Sequence, residues 1–170
     1  MTAEEWYKAF YQAYKDYAND HSSEVQKALP SDSKWSDLME KVLLAMARSL
    51  SYKQTGKLRG AAGVDIHWRK PGNTVAIEHE NRGDQVYSEI ANLCQDNSDL
   101  KVLITYAPDE DFFPNISRMA SLCAKELTKN GFGKGEFLLV VGGSDYDWEG
   151  FRFKFRAQPV ALKVGGSRVI

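Results

Sequence analysis

Long apolar runs are what this chain most plainly lacks. No stretch approaches the roughly 20 apolar residues that a membrane-spanning helix needs, which argues against a transmembrane protein. The opening residues, Met1-Thr2-Ala3-Glu4-Glu5-Trp6, are acidic and carry no apolar segment of the kind a secretory leader has. Cysteine is scarce: Cys94 and Cys123 lie far apart, with no ligand spacing around either. Buried free thiols in a reducing cytoplasm are the expectation. Neither sign of charge is in excess. Lys and Arg total 22 against 23 Asp and Glu, a net charge of -1. That balance does not advertise a polyanionic partner. It does not exclude one, because acids that hold a cation drop out of the count. A zinc-type Cys/His cluster, a Walker-type loop, a Ser-x-x-Lys pair and a nucleophile elbow are all missing, as are internal repeats. Gly131-Phe132-Gly133-Lys134-Gly135 has the glycines of a phosphate loop, but it joins a helix to a strand, the reverse of a phosphate cradle, and reads as a turn.

What is present is an ordinary globular composition, 43% hydrophobic and 26% charged over 170 residues. One domain spanning residues 1–170 is the expectation, long enough to bury a core. Residues 2–19 space Trp6, Phe10, Tyr11, Tyr14 and Tyr17 three and four apart, an amphipathic helix with an aromatic stripe. The stripe reads as core or partner contact, with base stacking as the sharper alternative. A short helix is expected at 23–29. A longer one from Ser33 to Leu50 is capped by Ser33 or Ser36 and carries Leu38, Val42, Leu43, Met46 and Leu50 as its stripe. Residues 51–63 read as a loop holding Lys53, Lys57 and Arg59. Further on come a helix (84–96), a buried strand (101–107), an acidic loop (108–114), a helix capped by Asn115 (to 129) and a buried strand (136–141). Phe151 to Val160 alternates aromatic and basic residues, a strand with one wet face. Helices alternating with apolar strands argue for an α/β fold with a mixed sheet.

Between the third and fourth of these helices sits the most informative segment. Val64-Asp65-Ile66-His67-Trp68 and Thr74-Val75-Ala76-Ile77-Glu78-His79-Glu80 both alternate, and Pro71-Gly72-Asn73 between them is a turn signal. The reading is a β-hairpin. Glu78 and Glu80 share one face, roughly 6–7 Å apart, and the neighbouring arm brings Asp65 beside them. Carboxylates crowded in this way repel unless a cation lies between them, and hard oxygen donors suit Mg²⁺ or Mn²⁺. A plain solvated hairpin face is the competing reading; it weakens because the two glutamates stand inside an apolar run. His67 shares the face of Asp65 and His79 points away from Glu78. Each reads first as a hydrogen-bonded structural histidine.

This order of elements with these acids resembles the PD-(D/E)XK nuclease superfamily, which has the restriction-endonuclease-like fold. There a helix leads into a mixed sheet, a hairpin presents an Asp and then an acid-x-Lys pair, and a helix and strand follow. The resemblance covers residues 33–143. It implies a three-layer core with a mixed central β-sheet flanked by helices, with residues 1–32 and 144–170 as additions. It assigns Asp65 to the metal-binding Asp, Glu78 to the second acid and Glu80 to the place where the family usually has Lys. Glu40, on the preceding helix, matches an extra acid that touches the metal or its waters in many members. Gln85 matches a polar position that faces the site in some relatives. The Glu-x-Glu departure resembles one branch of the restriction enzymes, in which the second Glu is proposed as base or metal ligand.

The implied activity is Mg²⁺- or Mn²⁺-dependent hydrolysis of phosphodiester bonds in nucleic acid, DNA foremost. Catalysis would fall to Asp65, Glu78 and Glu80, metal binding to those three and Glu40, and backbone contacts to Lys53, Lys57, Arg59, Arg69 and Lys70. Arg152, Lys154 and Arg156 would add to these if their strand's wet face lies beside the cleft. A homodimer or larger complex would suit an enzyme that cuts both strands. The alternative function is a catalytically inactive nuclease-fold protein acting as a nucleic-acid- or protein-binding subunit. A second rival drops the resemblance and leaves an α/β domain with an exposed acidic hairpin.

Overall fold

A computed structural model of the chain describes residues 1–28, 31–58, 63–81, 85–106, 112–131, 135–142, 148–154 and 160–162. Helix α1 (Ala3–Asp20) opens with a capping box: the Thr2 side chain accepts from the Glu5 N–H, and the Glu5 carboxylate accepts from the Thr2 N–H. A short α2 (Ser22–Ala28) and α3 (Asp32–Ser49) follow. The cap of α3 is Ser31, not Ser33 or Ser36 as expected. Ser31 keeps an extended backbone and accepts from Lys34, whereas Ser36 is already helical and donates to the Asp32 carbonyl.

Strand β1 (Lys53–Gly56) lies where a loop was expected. Lys-Gln-Thr-Gly has no apolar residue to alternate, so an exposed edge strand leaves no periodic signal. β2 (Ile66–Lys70) and β3 (Asn73–Glu80) form the expected hairpin, with Ile66 opposite Ile77 and Lys70 opposite Asn73. Helix α4 (Val86–Gln95), β4 (Leu100–Tyr106), helix α5 (Phe112–Asn130) and β5 (Glu136–Gly142) complete the alternating part. α5 starts three residues ahead of the expected Asn115 cap. Pro114 falls in its first turn, where a missing N–H removes no helical bond. β6 runs Trp148–Lys154, upstream of the expected strand, because its pairing with β5 extends to Trp148 opposite Gly142. β7 (Val160–Leu162) is a separate strand beside it.

The seven strands make one mixed sheet in chain order, β1 to β7. β3, β4 and β5 are parallel; the strands outside them join antiparallel. Helices cover both faces, giving an α/β fold in three layers. On one face Trp6, Phe10 and Tyr14 of α1 and Leu38, Met39, Val42, Leu43 and Met46 of α3 pack on Ile66, Trp68, Ile77, Val102 and Leu138. On the other, Ile90 and Leu93 of α4 and Cys123 and Leu127 of α5 pack on Ala76, Leu103, Leu139 and Phe153. The aromatic stripe of α1 is therefore core. Trp6 stacks on Phe10 at 5.3 Å, and Phe10 meets Trp148 edge-on at 5.0 Å. Cys94 and Cys123 are free thiols, and burial pushes the Cys94 thiol up to about 11. No helix among the described residues is long and apolar enough to cross a membrane.

Candidate metal and phosphodiester site

Alternation along β2 and β3 decides which face each acid takes. Ile66 and Ile77 face the α1–α3 layer. One step beyond that pair stand Asp65 and Glu78, facing the α4–α5 layer. The Asp65 N–H donates to Glu78 Oε2 at 3.2 Å, and the His79 N–H donates to Asp65 Oδ2 at 3.3 Å. The two carboxylates thus each take a backbone proton donor from the other arm. Gly56 allows the edge strand to end here. Its φ is +78°, and a Cβ on it would stand 2.1 Å from the Asp65 carbonyl oxygen.

Glu78 is the unusual group. It is only 2% exposed, and its Oε1 is buried with no hydrogen-bond partner. Burial raises its pKa first, then the nearby carboxylates of Asp65 and Glu89, to about 9. Without a cation the side chain is therefore protonated at neutral pH. Thr105, on β4 opposite Glu80, is also fully buried with an unpartnered Oγ1. By alternation it faces the same side as Glu78 and Glu80. Neither oxygen has an ordinary donor beside it; protonated, the Glu78 carboxyl donates to the neighbouring Glu89 carboxylate, an acid pair that a cation could replace.

Sequence reasoning missed Glu89 and Thr105. Glu89 stands on α4 four residues after Gln85, so the helical period could have flagged it once Gln85 was taken to face the site. Gln85 itself is exposed at the α4 N-terminus and makes no side-chain cap. Thr105 sits in an unbroken apolar run and gives no signal until the register is known.

Glu80 is half-buried on the Glu78 face, across from Thr105. Glu40 belongs to the opposite helical layer. With Asp37, Lys41, Leu44, Lys57 and Leu58 it lines a cavity of about 640 Å³ at the end of β1. The structure brings Asp65, Glu78 and Glu80 onto one face of the sheet and leaves Glu40 on the other layer. Among the described residues no group of three or more His, Cys, Asp or Glu is arranged to chelate a metal. A closed, all-protein site is therefore not formed by them. The donors present fit a hard ion that keeps most of its waters and takes one or two carboxylates, as Mg²⁺ does. The unpartnered Glu78 Oε1 is the atom that such an ion would satisfy.

Of the basic candidates, Lys53 and Arg69 are exposed and paired across β1 and β2. Lys57 is exposed beside Glu40. Lys70 is turned to the other face, 4.2 Å above the Tyr52 ring and donating to the Leu50 carbonyl. Arg59, Arg156 and the Lys154 side chain lie outside the described residues. Arg152 pairs with Leu138 and so faces the α1 layer, away from the acids. Both histidines are hydrogen-bonded. His79 Nε2 bonds the Tyr106 hydroxyl at 2.7 Å on the far face, and His67 Nε2 bonds Asp96 Oδ2 at 2.8 Å on the acid face. Burial works to raise Asp96, but hydrogen bonds from His67 and Ser98 hold its carboxyl below the usual range. No protein-family model matches the chain, and none of the curated proteins does.

Proposed function

We propose that this chain is a metal-dependent, nuclease-like protein of the PD-(D/E)XK type that hydrolyses phosphodiester bonds in nucleic acid, with DNA as its substrate. The observation that carries the reading is Glu78: a buried glutamate with an unpartnered oxygen, opposite Asp65, on a hairpin followed by a helix and a parallel strand. A carboxyl in that setting is costly to ionise alone and inexpensive to ionise against a cation. Asp65 and Glu78 would hold Mg²⁺ or Mn²⁺. When bound, the ion supplies charge neutralisation at the phosphate and a water acidic enough to lose its proton near neutral pH.

The chain's own groups do the rest. The crossed backbone bonds of Asp65 and His79 fix the two carboxylates on one line. Glu80, half-buried on the same face, takes the proton of the attacking water as general base, in the place where the resembled family has Lys. Lys53 and Arg69 attract and seat the substrate backbone. Free thiols at Cys94 and Cys123 suit a reducing compartment, and we assign the protein to the cytoplasm. An enzyme that cuts both strands would work as a homodimer.

A second reading has its own observation. Glu78 holds its proton to about 9 without a cation, and no Lys stands at the Glu80 position. Both suit a nuclease-fold protein that has lost catalysis and serves as a binding subunit. Incubation with supercoiled plasmid in Mg²⁺ or Mn²⁺ separates the two. The nuclease reading expects nicked or linear product that needs the metal and disappears in Asp65→Ala. Intact plasmid with both metals and a folded protein would overturn it and favour the binding subunit.

A further inference from the structure

Arg69 and Lys53 stand directly opposite one another on β2 and β1. Both are exposed, and among the described residues neither has an ion-pair partner. Like charges facing each other across a strand pair destabilise a sheet unless an anion lies between them. Their face is the face of the acids: Arg69, His67 and Asp65 alternate along β2 on the side of α4. Among the described residues no helix packs over that side at the edge: α4 packs over β3 and β4, while α3 lies against β1 from behind. Thr55, opposite His67, is exposed on the same surface.

We infer that the α4-side face of the β1–β2 edge is a track for a phosphate backbone, with Lys53 and Arg69 as a paired contact to it. The inference deepens the nuclease reading and rests on it for the position of the scissile phosphate. Four residues of strand separate Arg69 from Asp65, about 13 Å. At ~3.4 Å of axial rise per nucleotide, the pair meets the backbone at most about four nucleotides from the acids. The other lysines differ. Lys70 is spent on Tyr52 and Leu50, and Lys57 lies beside the Glu40 cavity. The contact carries no base readout, so the track is indifferent to sequence.

The test is binding without cleavage. A Glu78→Gln protein is titrated with a short labelled duplex across a range of salt, in parallel with versions carrying Lys53→Ser and Arg69→Ser together. Loss of two phosphate contacts is expected to lower the slope of log affinity against log salt by about 1.8, at ~0.9 per contact. Exchanging the pair as Lys53→Arg and Arg69→Lys is expected to keep the slope and to show that the serine variant lost charge, not fold. A slope unchanged by the serine pair, or no duplex binding at low salt, would overturn the track. Equal binding of polyglutamate would overturn it in favour of an acidic protein surface. The outcomes separate from those of the nuclease reading. A slope loss in a protein that never cleaves plasmid leaves the track standing and the activity refuted; cleavage with an unchanged slope does the reverse.

Discussion

A single glutamate carries most of the chemistry in this account. Glu78 binds its proton more tightly in the folded protein, about 9, than in an unfolded chain, 4.5. The proton therefore stabilises the fold. That contribution is complete below about pH 4.5, declines as pH rises and is lost once pH passes about 9. Metal-free protein should lose melting temperature steadily between those limits, and Glu78→Gln should flatten the decline; thermal melts across pH in a chelator measure it. Gly56 gives a second prediction at this scale. At φ +78° and against the Asp65 carbonyl, Gly56→Ala should cost more than about 1 kcal/mol in denaturant titrations, because strain and collision act together. Asp65 and Glu78 were legible as a pair because strand alternation fixes their face and the turn fixes their register. Thr105 was not, since it reaches the site only through the register of β4 on β3, and Glu89 was within reach of the helical period only once Gln85 was set facing the acids.

Strands and helices follow their periods where one face is apolar and lose legibility where it is not. The hairpin, α1, α3 and the buried strands β4 and β5 could be read directly. β1 could not, because a four-residue edge strand of Lys, Gln, Thr and Gly has no buried face to announce it. That strand now matters, since it sets Lys53 against Arg69. The pair should burden the fold: Arg69→Thr is expected to raise stability by about 0.2–1 kcal/mol. Chemical denaturation at low salt would measure the gain, which should shrink as salt screens the repulsion. A loss of stability instead would mean that Arg69 has a structural partner. Arg152 shows the converse. Which face of its strand meets the acids depends on register with β5, and register put Arg152 beside α1.

At the level of the whole molecule, one sheet divides two unlike layers. The α1–α3 side is an aromatic core; the α4–α5 side carries the acids. α1 is integral to the first layer, with Trp6, Phe10 and Tyr14 fully buried. Phe10→Ala should cost about 3–5 kcal/mol in unfolding experiments, while leaving the acids on the far face in place. The α/β class was legible from the alternation of elements; the placing of Glu40 across the sheet from Glu78's face was not, because a helix's side of a sheet is not written in its own periodicity. The central claim is that Glu78 is a buried, protonated acid waiting for a cation. Calorimetric titration of Mn²⁺ near neutral pH, in buffers of differing ionisation enthalpy, tests it most directly. The account predicts saturable binding with release of about one proton per protein, since a ligand carboxyl must deprotonate, and loss of that proton in Glu78→Gln. No binding, or binding with no proton released and no change in Glu78→Gln, would contradict it.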